Sequence, residues 1–293
     1  RRASWSRSTP APGPTWAAPD ADPRDMAKKS RRNPPRESRL NASFAATGDA
    51  VTVPVRWVKF FVGLFLLPVC YVLTAAFFSA LVDAFTAQVG DRPHFWMSPQ
   101  FVFFCFGLVA WLAVYFCLPK WLTIYVFGHE LTHAIAVKLM GGRVSAFSVG
   151  PDGGHVVSSK INTWIALAPY FVPIYSVFAI TIYGLVSVFV DLTPHRDLAS
   201  GLLYFSLGLT WCFHACFTLS MIPKGQSDLH YGGTFFSLTV IYLMNLLVLS
   251  LLLVLATPYV SFASFGREIL AQAHSFAADV ALVADAARRA WLP

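Results

Sequence analysis

Apolar residues gather into six runs, at roughly 57–82, 99–118, 121–140, 163–190, 199–221 and 233–257. Each is close to the ~20 residues that a helix needs to cross a bilayer core. Trp57, Trp96, Trp121, Trp164 and Tyr259 sit at their ends, where aromatic belts form. Pro119 and Lys120 leave so little chain between the second and third runs that a hairpin or a kinked pair is predicted. The segment 141–162 breaks the pattern: Gly141, Gly142, Gly150, Gly153 and Gly154 punctuate short alternating stretches, predicting a β-hairpin or a re-entrant loop. Helical spacing returns over 260–293. Phe262, Phe265, Ile269, Ala273, Phe276, Val280, Val283 and Ala287 share one face there, with Arg267, Glu268, Asp279 and Asp285 on others. This predicts an amphipathic C-terminal helix lying on a membrane surface. The fold class expected is therefore an all-α polytopic membrane protein of about six transmembrane helices, with a short β-like or re-entrant segment after the third.

Composition agrees. Hydrophobic residues make up 56% and charged residues 13%, and the mean hydropathy is +0.57. A soluble domain carries about a quarter charged residues, so too few are present here to cover a water-facing surface. The net charge of +7 is localised: residues 1–59 hold 12 Lys and Arg against 5 Asp and Glu, and the remainder is balanced. Residues 1–53, rich in Arg, Ser, Pro and Ala, lack an apolar period and are expected to be a disordered basic tail. Met26 opens the basic stretch Met-Ala-Lys-Lys-Ser-Arg-Arg, so residues 1–25 are expected to be a non-native extension. No cleavable signal peptide is expected, because this basic stretch precedes a span far longer than a signal core. The charge asymmetry predicts a cytoplasmic N-terminus on a multi-pass integral membrane protein, with the lipid bilayer as a partner and no nucleic acid. The five cysteines all lie in apolar stretches without a CxxC pair, which argues against a disulfide framework.

The third run carries His129-Glu130-Leu131-Thr132-His133. Residues i and i+4 lie on one helix face, so both imidazoles can aim at one ion while Glu130 reaches a water beside it. This is the HExxH arrangement of zinc hydrolases: zinc would acidify the water to a pKa of ~7, and Glu130 would act as general base. Random placement of eight His and three Glu would produce the motif in about one such sequence in several hundred. Its setting adds weight, because an ionisable group at mid-membrane costs ~2.5–3.5 kcal/mol. Glu130 is the only acidic residue between Asp91 and Asp152.

Zinc requires a third protein ligand and an open position. Candidates after His133 are Asp152, His155, Asp191, His195, Asp197, His214, Asp228 and His230. Asp191, His195 and Asp197 fall in a polar connection that reads as solvated. Asp228 precedes the last long run, and His214 is the lone ionisable group within the fifth.

The sequence Gly128-His129-Glu130-Leu131-Thr132-His133-Ala134, the following Gly141-Gly142, and Pro223 with Asp228 beyond four intervening residues resemble the site-2 protease family of intramembrane zinc metalloproteases. The resemblance spans about residues 99–257. It implies that 54–259 is a membrane-embedded zinc peptidase domain, that Glu130 is catalytic, that His129, His133 and Asp228 hold Zn2+, and that membrane-protein or peptide substrates are cleaved. Ser220 and Leu229 depart from the Asn and Gly usual in that family. Helix alternation places His129 ~12 Å into the membrane from one side and Asp228 near the other, so a broken or re-entrant span is expected, with Pro223 and Gly225 suited to unwinding. Two rival functions follow from the same residues. One is a non-catalytic membrane metal-binding regulator, favoured by the Ser220 and Leu229 departures. The other is a metal-ion or proton transporter using His129, Glu130, His133 and His214 as a relay.

Overall fold

The computed structural model describes residues 53–87, 94–119, 122–150, 153–224 and 226–291. Residues 1–52 of the expected basic tail, Trp121, Asp152 and Gly225 lie outside these residues. Helix α1 spans Val53–Thr86, α2 Pro99–Cys117 and α3 Leu122–Leu139. A hairpin follows, of β1 Val144–Gly150 and β2 Gly153–Ser158, then α4 Thr163–Leu167 with a 3-10 turn Ala168–Tyr170. Next come α5 Ile174–Phe189, α6 Arg196–Met221, α7 Ser227–Tyr231, α8 Thr234–Ala256 and α9 Phe262–Trp291.

Four helical segments are long and apolar enough to cross a membrane, at Val55–Thr86, Pro99–Cys117, Thr193–Lys224 and Thr234–Ala256. A fifth is present if α4 and α5 are one span, bent by 78°. Six runs were expected, and the differences have local causes. Helix α3 carries His129, Glu130, His133 and Lys138, which lower its hydropathy. The fourth run breaks at Phe171–Pro173, since Pro169 and Pro173 each remove a backbone N–H. The break expected at 224–228 is milder: α6 runs unbroken to Met221 and passes through a 3-10 turn, Ile222–Lys224, before α7. Large apolar side chains stay exposed along α1 (Phe61, Phe65, Tyr71, Phe78) and α5 (Ile182, Leu185, Val188, Phe189). They form the kind of surface a bilayer would cover.

Helices α2 and α6 pack with almost no side chain between their backbones. A Cβ on Gly107 would lie 2.1 Å from the Phe205 carbonyl oxygen, and one on Gly208 would lie 2.0 Å from that of Phe104. Such close approach through small residues replaces the hydrophobic driving force that is missing in lipid. Trp111, Tyr125, Cys212, Phe213, Phe217 and Met221 continue this interface onto α3. A second cluster, with Leu167, Tyr170, Phe171, Leu229, Val240 and Ile241, joins α4, α7 and α8. Helix α3 runs between the two.

The amphipathic C-terminal helix expected over 260–293 is present as α9. It runs back along α1, with Phe265 buried in the cluster around Ala80 and Ala84, and with Phe276 5.3 Å from Tyr71.

The Gly-punctuated segment forms a β-hairpin, with Phe147 opposite Val156 and Gly150 opposite Gly153. Gly141 ends α3 at φ 76°, a left-handed conformation that suits a residue without Cβ. Its N–H and that of Gly142 close onto the carbonyls of Lys138 and Val137 at 3.0 and 2.8 Å. This cap turns the chain back, so that the hairpin packs on α3, with Phe147 6.0 Å from Phe127.

Candidate metal centre

Three side chains from two distant parts of the sequence converge beside α3. His129 Nε2 and His133 Nε2 lie 3.3 and 3.4 Å from the same oxygen, Asp228 Oδ2. Among the described residues, this is one group of His, Cys, Asp or Glu ligand atoms close enough together to hold a metal ion. The two histidines owe their alignment to the helical turn between them. Asp228 arrives because α7 is anchored by the next residue: Leu229 is 2% exposed within the second cluster, and its carbonyl accepts from Ser237 Oγ at 2.9 Å. Leucine at 229 thus fastens the short helix that carries the carboxylate.

The orientation of His133 has a cause readable in the sequence. In an α-helix the carbonyl of Ile165 would accept from the N–H of residue 169, but Pro169 has none. His133 Nδ1 uses that carbonyl instead, donating to Ile165 O at 2.8 Å. With one proton held on Nδ1, His133 turns Nε2 toward Asp228, and a neutral ring presents a lone pair there. A lone pair facing a carboxylate oxygen is repulsive unless a cation lies between them. Two ligand atoms each ~2.0–2.2 Å from a tetrahedral ion stand about 3.3–3.6 Å apart. The contacts of 3.3 and 3.4 Å match that edge. They exceed the ~2.7–2.9 Å of a charge-assisted hydrogen bond. The donor set could therefore hold a metal ion.

Supporting contacts hold the ligands in place. Tyr170 OH donates to Asp228 Oδ2 at 3.3 Å, and Tyr125 OH lies 3.3 Å from His129 Nδ1. Asn245 Nδ2 donates to the Tyr170 carbonyl at 2.9 Å, fixing the broken segment from which Tyr170 projects. Sequence reasoning did not single out Tyr125, Tyr170 or Asn245. Their only signal is a polar group inside an otherwise apolar run.

Glu130 is 8% exposed and sits where β2 crosses α3. A Cβ on Gly154 would fall 2.6 Å from Glu130 Cγ, so glycine there lets the hairpin close over the carboxylate. Among the described residues, none hydrogen-bonds that carboxylate, which leaves it able to accept a proton.

The other expected candidates lie elsewhere. His155, His195, Asp197 and His230 are exposed, and Thr234 Oγ1 lies 3.2 Å from His230 Nδ1. Asp191 is held below the usual carboxylate range by Thr193, whose hydroxyl and backbone N–H both bond to it. Asp152 lies outside the described residues. Cys212 and Cys216 approach each other at 3.9 Å between sulfurs and join no metal-binding group. His214 is buried near the centre but is not among its three converging ligand atoms. In comparisons with known proteins, no family model, no curated protein and no solved structure matches this chain.

Proposed function

We propose that the chain is an integral membrane zinc endopeptidase, of the site-2 protease kind, that hydrolyses peptide bonds of membrane-embedded substrates. One observation carries the reading: three donors close enough to share one metal ion, two of them 3.3 and 3.4 Å from the third, with Glu130, whose carboxylate has no hydrogen-bond partner among the described residues, one residue along the helix from His129. His129, His133 and Asp228 would hold the ion. Bound zinc supplies Lewis acidity toward water and the scissile carbonyl. Glu130 removes a proton from the attacking water as its oxygen bonds to the carbonyl carbon. The same carboxyl group returns that proton to the amide nitrogen as the C–N bond breaks, releasing a carboxylic acid and an amine. A substrate helix must unwind first, because its carbonyls are committed to internal hydrogen bonds. The β-hairpin over Glu130 supports this step, since a strand edge can pair with extended peptide.

The test is cleavage of single-span helical peptides in proteoliposomes holding the purified chain. Glu130→Gln is expected to abolish cleavage, while zinc content measured by mass spectrometry stays at the wild-type level. Unchanged cleavage by that variant overturns the reading.

A further inference from the structure

His214 is the one buried histidine outside the three converging ligands, and its surroundings give it a task. It projects from the middle of α6 and is 8% exposed, and its Nε2 has no hydrogen-bond partner among the described residues. Leaving a buried imidazole nitrogen unpaired is costly, so such an atom requires a partner that arrives from outside. The opposite edge of the ring faces the backbone of Tyr170, whose hydroxyl donates to Asp228. His214 and the metal centre therefore share one rigid support.

The residue that carries the unpaired atom lines a cavity. Tyr125, Gly128, His129, Pro169, Tyr175 and His214 line a space of about 10 Å³, comparable with the ~10–15 Å³ that one small polar group or water occupies. His129 is a wall of this space and Glu130 is not. Glu130 lies on the hairpin side, against Gly154. The proposed base and His214 thus flank His129 from different directions, as two groups gripping one peptide unit would.

We infer that His214 is a substrate-binding residue whose Nε2 accepts a hydrogen bond from the N–H of the scissile amide. This rests on the peptidase reading and deepens it. The Tyr170 backbone beside the ring favours a proton on the ring nitrogen that faces it, and the lack of a partner at Nε2 among the described residues then makes that atom the acceptor. An unwound peptide reaching the centre brings an N–H in need of an acceptor in a dry site.

A readout independent of turnover tests it. Acetohydroxamate offers two oxygens to a metal ion and carries an adjacent N–H; N-methylacetohydroxamate lacks that N–H. Both are titrated against the full chain loaded with cobalt(II), followed by visible absorption. Wild type is expected to prefer acetohydroxamate by about five- to tenfold more than His214→Phe does, with cobalt content equal in the two chains. An equal preference in both chains overturns the inference. Loss of cobalt from His214→Phe also overturns it, because the ring would then belong to the metal cage. Should the phenylalanine variant not fold, His214→Gln, which keeps an acceptor, is compared with His214→Leu by the same ratio. A chain that discriminates the two hydroxamates through His214 but cleaves no peptide refutes the peptidase reading alone.

Discussion

His133 faces Asp228 with Nε2, the nitrogen that the Ile165 carbonyl leaves free. Its Nδ1 is committed to the Ile165 carbonyl at 2.8 Å, and its Nε2 stands 3.4 Å from Asp228 Oδ2. A positive charge, on the ring or between the two atoms, stabilises that pairing, and His129 brings a second nitrogen to the same oxygen, 3.3 Å away. The orientation of His133 thus follows from one missing N–H, that of Pro169, a residue that is itself no candidate ligand.

Removing the third ligand or its support should separate in magnitude. Asp228→Ala deletes a donor atom and is expected to lower zinc affinity by more than about 100-fold, whereas Tyr170→Phe removes only the hydroxyl that orients the carboxylate and should cost about 10–100-fold. Competition against a chromogenic chelator measures both. Equal affinity for Tyr170→Phe and wild type would show that the 3.3 Å contact does not orient Asp228.

Gly154→Ala tests the placement of Glu130. The new Cβ would meet Glu130 Cγ at 2.6 Å and the Ser148 carbonyl oxygen at 2.9 Å, so the carboxylate or the hairpin must shift. A displacement of about 1 Å at a reacting group costs about 100-fold in rate. Cleavage should fall by that order while zinc content stays at the wild-type value. A variant that cleaves normally would place Glu130 outside the reaction.

Gly208→Ala tests how the helices are held. Its Cβ would lie 2.0 Å from the Phe104 carbonyl oxygen, a backbone atom that no rotamer change can move. Helices α2 and α6 must separate, at a cost of about 1–3 kcal/mol. A lowered unfolding midpoint in detergent is expected, with Gly107→Ala behaving alike. An unchanged midpoint would mean that the two backbones are not in contact.

Much of this could be read along the chain, because the information is local. Hydrophobic runs mark α1, α2, α6 and α8, since a helix that must face lipid has to be apolar along its length. The glycines of 141–162 signal the hairpin, and four-residue spacing puts His129 and His133 on one face. Helix α3, read at 121–140, spans Leu122–Leu139, but the residues that make it a candidate centre keep its hydropathy below that of the four candidate spans. Residues 163–190 read as one span, although Pro169 and Pro173 held the clue to the break.

The sequence alone therefore determined the apolar helices and one pair of aligned histidines, because periodicity is a property of neighbours. Which distant side chain completes the trio was decided by tertiary structure: Asp228 converges and His214 does not. The reason is packing, since Leu229 and Tyr170 share one buried cluster and α7 can dock only where that cluster forms. The orientation of His133 was settled the same way. A carbonyl left without its N–H is visible in sequence, but the ring that claims it, 32 residues away, is chosen by the fold.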